Sequence, residues 1–133
     1  MLATLVALTA IATDLNKAAA TTGITLYVPD ESAIGYRLSG TEIAELEGRK
    51  VVRLTYTNVK VQNSFDLFEY PSAGAVGSGL AKIIDSKAFN VGIMEDDTVV
   101  SIRKGKTDVS LVGSLMSNPS AKKMLERVMP FRP

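Results

Sequence analysis

The chain has 133 residues, enough for one domain with its own core. Apolar residues make up 46% and charged residues 22%, and the formal charge is +1, so no strong field announces a nucleic-acid or membrane partner. There is no cysteine and no histidine, which excludes disulfides, thiolate nucleophiles, zinc sites and histidine acid–base chemistry.

The first twenty residues, MLATLVALTAIATDLNKAAA, hold an apolar run ending near Ala18-Ala19-Ala20, as a cleaved secretory leader would. No Lys or Arg precedes the run, however. Thr4, Thr9 and Thr13 interrupt it, and Asp14 and Lys17 stand in the cleavage region. The run is also too short to span a bilayer. Thr4, Val6 and Leu8 alternate with Leu5, Ala7 and Thr9, so helix and strand compete. With GITLYVP, Gly23 to Pro29, the segment can make an N-terminal hairpin, and SAIGYRLSG, Ser32 to Gly40, is a further short strand.

RKVVRLTYTNVK, Arg49 to Lys60, is the clearest strand, with Val52, Leu54 and Tyr56 on one face and Arg53, Thr55 and Thr57 on the other. NSFDLFEYP follows. A tight turn at Gln62-Asn63 would pair Lys60 with Phe65 and Tyr56 with Glu69, placing Phe65 and Leu67 on the Tyr56 face and Ser64, Asp66 and Phe68 on the Thr57 face. KAFNVGIM, Lys87 to Met94, alternates as a strand. The period then changes. Val99, Ile102, Val109, Val112 and Met116 recur at helical spacing, weakened by Gly105, with Asp96 and Asp97 suiting the helix start. Asn118-Pro119 opens a second helix with the stripe Ala121, Met124, Leu125 and Val128, and Pro130 ends it. The order, strands and then two helices, predicts a single α+β domain over 1–133 with helices on one face of an antiparallel sheet.

Candidate sites are few. Gly74 and Gly79 have the gap of a phosphate-cradling loop, but Leu80 stands where lysine must be and Lys82 comes two residues late. The residues that follow, IIDSKAFNV, have the look of a strand, so Pro71 to Lys82 reads as a small-residue loop that can change shape. Glu95, Asp96 and Asp97 point different ways and make a poor magnesium site. Ser78 and Lys82 offer a Ser–Lys pair of the kind any Gly/Ser loop can supply. The chain is accordingly expected to be no enzyme, with no catalytic residues, metal or cofactor. Arg53, Thr55 and Thr57, with Asn90 on a later strand, present one charge and three hydrogen-bonding groups suited to phosphates and base edges. The bland counterpart is an ordinary solvated sheet face.

As an ordered whole the pattern resembles the coat proteins of small single-stranded RNA bacteriophages. The likeness lies in GITLYVP, AIGYRL and LEGRKVVRLTYTN, in FEYP before a small-residue loop, and in NVGIM, SLVGSLMSNP and AKKMLERVMP at the end. The resemblance implies an intertwined dimer with one continuous sheet, each subunit's helices lying across its partner. It implies an icosahedral shell around single-stranded RNA, assembled in the bacterial cytoplasm, and translational repression through an RNA hairpin, with no membrane involved. It places Arg53, Thr55, Thr57 and Asn90 on the RNA-facing surface and Gly74, Gly77 and Gly79 in a loop around the symmetry axes. Arg53 departs from the pattern, standing where a small hydroxyl residue is expected. Val109, Val112, Leu115, Met116 and Leu125 become helix residues packed across the dimer. Apart from the resemblance, Val99, Ile102, Val109, Leu111, Val112, Leu115 and Met116 form a stripe too broad for one sheet contact, enough to make a dimer obligate at about 25 cal/mol per Å². The competing readings are a secreted or periplasmic α+β binding domain with a cleaved N-terminus, and a small enzyme using Ser78, Lys82 or the acids.

Overall fold

A computed structural model describes residues 9–114 and 116–133. In chain order they form β1 (Ile11–Ala12), α1 (Leu15–Thr22), β2 (Tyr27–Val28), α2 (Glu31–Ile34), β3 (Arg37–Leu46), β4 (Arg49–Asn58), β5 (Asn63–Pro71), α3 (Leu80–Ser86), β6 (Thr98–Lys104), β7 (Thr107–Gly113), α4 (Asn118–Glu126) and β8 (Met129–Pro130). Six strands make one antiparallel sheet in the order β1-β3-β4-β5-β7-β6, while β2 pairs with β8. The α+β class stands, but the arrangement of elements differs from the expected one.

The largest correction concerns the helix expected over Asp96 to Asn118, where Thr98–Gly113 is a hairpin instead. Thr98, Val99, Val100 and Ile102 are β-branched and favour a pleated surface. Gly105, which only weakens a helix, sits instead at the first central position of a two-residue turn with φ 57°, where a primed hairpin turn requires glycine. Val109 and Val112 therefore belong to β7 and not to a helix, and Met116 lies in the connection to α4. Leu115 falls outside the described residues, as do residues 1–8 of the first apolar run. Of that expected N-terminal hairpin, Ile11–Ala12 pairs with β3 and Tyr27–Val28 with the C-terminal β8.

Two further segments differ from the expected pattern. Ile83 to Val91 begins in α3, and Lys87 (φ 61°) and Asn90 (φ 53°) adopt left-handed backbone that breaks an extended run. Lys87 to Met94 is consequently irregular, with Asn90 exposed in a loop. Glu95 to Asp97 precede a strand, with Asp97 accepting from the Met94 amide at 2.8 Å. In the central hairpin the turn is Val59 to Gln62, held by the Asn58 carboxamide oxygen accepting from the Lys60 amide. Tyr56 faces Phe65 and Leu54 faces Leu67, four residues along β5 from the expected register. The slip is even, so every predicted face assignment survives.

Helices cover both faces of the sheet, not one. On the first, Val52, Leu54, Tyr56, Phe65, Leu67, Val109 and Leu111 pack against Ala18 of α1, Leu26, and Ala121 and Leu125 of α4. On the second, Val51, Phe68, Tyr70 and Val112 pack against Leu80 and Ile83 of α3 and against Ala88 and Phe89. α1 starts at Asp14, whose carboxylate caps the Lys17 amide, and α4 starts at Ser117, one residue before the expected Asn118 cap. Val109, Val112 and Leu125 are buried inside this one chain, so α4 seals its own sheet. The apolar stripe thus gives no ground for helices shared between subunits.

Candidate nucleic-acid interface

The second sheet face carries the residues expected to meet RNA. Register places Arg53 of β4 between Glu42 of β3 and Phe68 of β5. Its Nη1 donates to Glu42 Oε1 at 3.2 Å and to the Phe89 carbonyl at 2.7 Å, its Nη2 donates to Asp66 Oδ2 at 2.9 Å, and the guanidinium lies over the Phe68 ring. Burial works against its charge, but the hydrogen bonds and charges of Asp66 and Glu42 prevail and hold its pKa above the ordinary value. Thr55 Oγ1 donates to the other Asp66 oxygen at 2.7 Å. Arg53 and Thr55 are therefore brought together, but into a neutralised network that ties the 88–90 loop to the sheet.

Thr57 has a different setting. Its hydroxyl meets Ser39 Oγ at 2.8 Å and lines a groove of about 650 Å³ with Arg37, Ser39, Asn58 and Lys60. Among the described residues no acid lines this groove, and neither Arg37 nor Lys60 has an ion-pair partner. Arg37 faces Thr57 across β3 and β4, and Lys60 sits in the following turn. Arg37 and Lys60 were missed in the sequence. The one available signal was that strand neighbours of Thr57 carry the charge, and it needed the β3–β4 register.

The glycine loop is anchored rather than free. Asp108, fully buried on β7, accepts from Ser72 Oγ at 2.9 Å, from the Gly77 amide at 3.0 Å and from Arg103 Nε at 2.7 Å. Arg103 Nη2 also donates to the Gly74 carbonyl at 2.8 Å. Beneath the loop, the Tyr70, Ser110 and Ser101 hydroxyls form a chain at 2.7 and 2.6 Å. Gly77 (φ 76°) has no room for a Cβ, which would sit 2.5 Å from Ser101 Cβ. Alanine at Gly77 is expected to cost about 2 kcal/mol, from left-handed backbone and collision together, read as a lowered urea midpoint. Gly79 packs closely on the Tyr70 ring, and Gly74 has φ 67°. Ser78 Oγ donates to the Ala73 carbonyl, so Ser78 and Lys82 share a cavity wall without a hydrogen bond between them. Among the described residues no three His, Cys, Asp or Glu side chains gather as metal ligands.

Comparison with family models, curated proteins and solved structures finds no match to this chain.

Proposed function

We propose that the chain is a self-assembling coat protein that packs single-stranded RNA, as the RNA phage coat proteins do, forming virions in a bacterial cytoplasm. In this reading copies meet through sheet edges and not through exchanged helices. The observation that carries it is the edge of β6, which no strand pairs with among the described residues. Alternation from the Lys104–Thr107 turn pair directs the N–H and C=O groups of Val99, Ser101 and Arg103 away from β7, and among the described residues no strand pairs with them. Such an edge is a template for another strand. Val99 beside it is 44% exposed and Met94 just before it 67%.

A two-fold pairing of β6 with its own copy, centred on Ser101, sets Arg103 opposite Val99 and Lys104 opposite Thr98, so no like charges meet. The groove of Arg37, Thr57 and Lys60 then supplies phosphate contacts on the second face.

Electron microscopy and sedimentation of the expressed chain, with nuclease-protected RNA measured alongside, test the reading. The parent chain is expected to form particles that hold RNA. Val99→Pro removes an outward N–H at a position where an edge strand tolerates proline, and is expected to abolish particles while cooperative unfolding persists. A parent chain that stays a monomer at high concentration, or a Val99→Pro variant that still assembles, would dispose of it.

A further inference from the structure

At the opposite end of β4 from Thr57, roughly 26 Å along the strand, a second cationic cleft opens. Arg49, at the start of β4, and Lys82, in α3, line a cavity of about 290 Å³ together with Ser78, Gly74 and Gly79. They come from separate elements and converge on one space. Both are exposed, and among the described residues neither has a carboxylate partner, whereas Arg53 has two and Arg103 one. Among the described residues no acid lines this cavity. Glu47 lines only the adjoining one of about 220 Å³, which shares Arg49, Tyr70, Gly79 and Lys82. The far wall is held still by the Asp108 and Arg103 contacts to Ser72, Gly74 and Gly77.

We propose that the Arg49–Lys82 cleft is a binding site for a phosphate group. A guanidinium offers a planar fork of donors to phosphate oxygens and an ammonium offers a point charge. Ala73, Gly74 and Gly79 leave an anion room to approach the backbone. Resting on the function proposed above, the phosphate is a phosphodiester of packaged RNA, held well apart from the Arg37–Lys60 groove so that one strand is gripped at two places. A free phosphate compound has the same chemistry, and the test separates the two.

The probes are inorganic phosphate and a uridine oligonucleotide of about twelve residues, each titrated into the full chain and followed by amide shifts and by binding at several salt concentrations. Both are expected to move the amides of Gly74 to Lys82. Arg49→Gln with Lys82→Gln is expected to weaken oligonucleotide binding at least tenfold and to lower the salt slope by about 1, with an unchanged urea midpoint. Lys122→Gln with Lys123→Gln, on α4 across the sheet, serves as the control and leaves affinity unchanged. Oligonucleotide binding that survives the Arg49/Lys82 change, or no response of the loop amides to either probe, overturns the site. A response to inorganic phosphate alone keeps the phosphate site and removes its RNA assignment. Particle formation by the parent chain reports on the shell reading separately, and Arg37→Gln with Lys60→Gln tests the other groove.

Discussion

Replacing Asp108 with alanine lowers the free energy of unfolding by about 3 kcal/mol and releases the glycine loop from the sheet. The carboxylate is fully buried and accepts from a hydroxyl, a backbone amide and a guanidinium. Its loss strands the Gly77 amide and unpairs Arg103. Arg103 keeps 32% side-chain exposure, so water takes over part of its charge, which sets the figure at the low end for a broken buried pair. Urea unfolding measures the loss, and hydrogen exchange at Gly77 reports the loop. An unshifted midpoint with a still-protected Gly77 amide would refute the clamp. The clamp is also acid-labile. Burial raises the Asp108 pKa, but Arg103, the Gly77 amide and Ser72 outweigh it and hold the group below 3.8. Its contribution is present above that value and is lost as pH falls through the lower folded pKa.

Glu69→Gln is expected to make the protein more stable than its parent at pH 9, by at least about 2 kcal/mol, with little change or a slight loss at pH 4. Glu69 lies within the first core, fully buried. Its Oε1 accepts from the Tyr27 amide at 2.7 Å, and among the described residues Oε2 has no partner. Burial pushes its pKa from 4.5 up to about 8, against a smaller opposing pull from that amide. The unfolded chain gives up this proton near 4.5 and the folded chain near 8. Between those values the folded form binds more protons, so stability falls as pH rises and levels off above about 8. The contributions of Glu69 and Asp108 taken together are therefore largest around pH 4 to 5. Thermal unfolding of parent and variant from pH 3 to 10 checks both limbs, and a parent profile flat from pH 5 to 9 would contradict the buried acid.

The two central strands were legible because their signals agreed. Arg49 to Asn58 alternates, is rich in β-branched and aromatic residues, and ends in a turn, and an even register slip cannot move Tyr56, Phe65 or Leu67 off the core face. Asp96 to Asn118 was illegible for the opposite reason. Val99, Ile102, Val109 and Val112 satisfy a helical spacing and also sit on two short strands around a glycine turn. Composition cannot choose between those fits, and the choice falls to β5, whose free edge β7 completes. Of the candidate site, the shared face of Arg53, Thr55 and Thr57 was visible because strand side chains alternate.

What surrounds those three residues was not visible, because it depends on chain segments far away in sequence. The sequence alone determined an antiparallel α+β protein without thiol or imidazole chemistry, since composition and strand period are local properties. Tertiary structure decided that Arg53 is neutralised by Glu42 and Asp66, that Asp108 anchors the glycine loop, and that Arg49 and Lys82 face one cleft. Charge pairing and burial are set by distances between residues on different elements, such as Arg53 of β4 with Glu42 of β3 and Asp66 of β5, or Asp108 of β7 with the Gly77 amide, and only the folded chain fixes those distances.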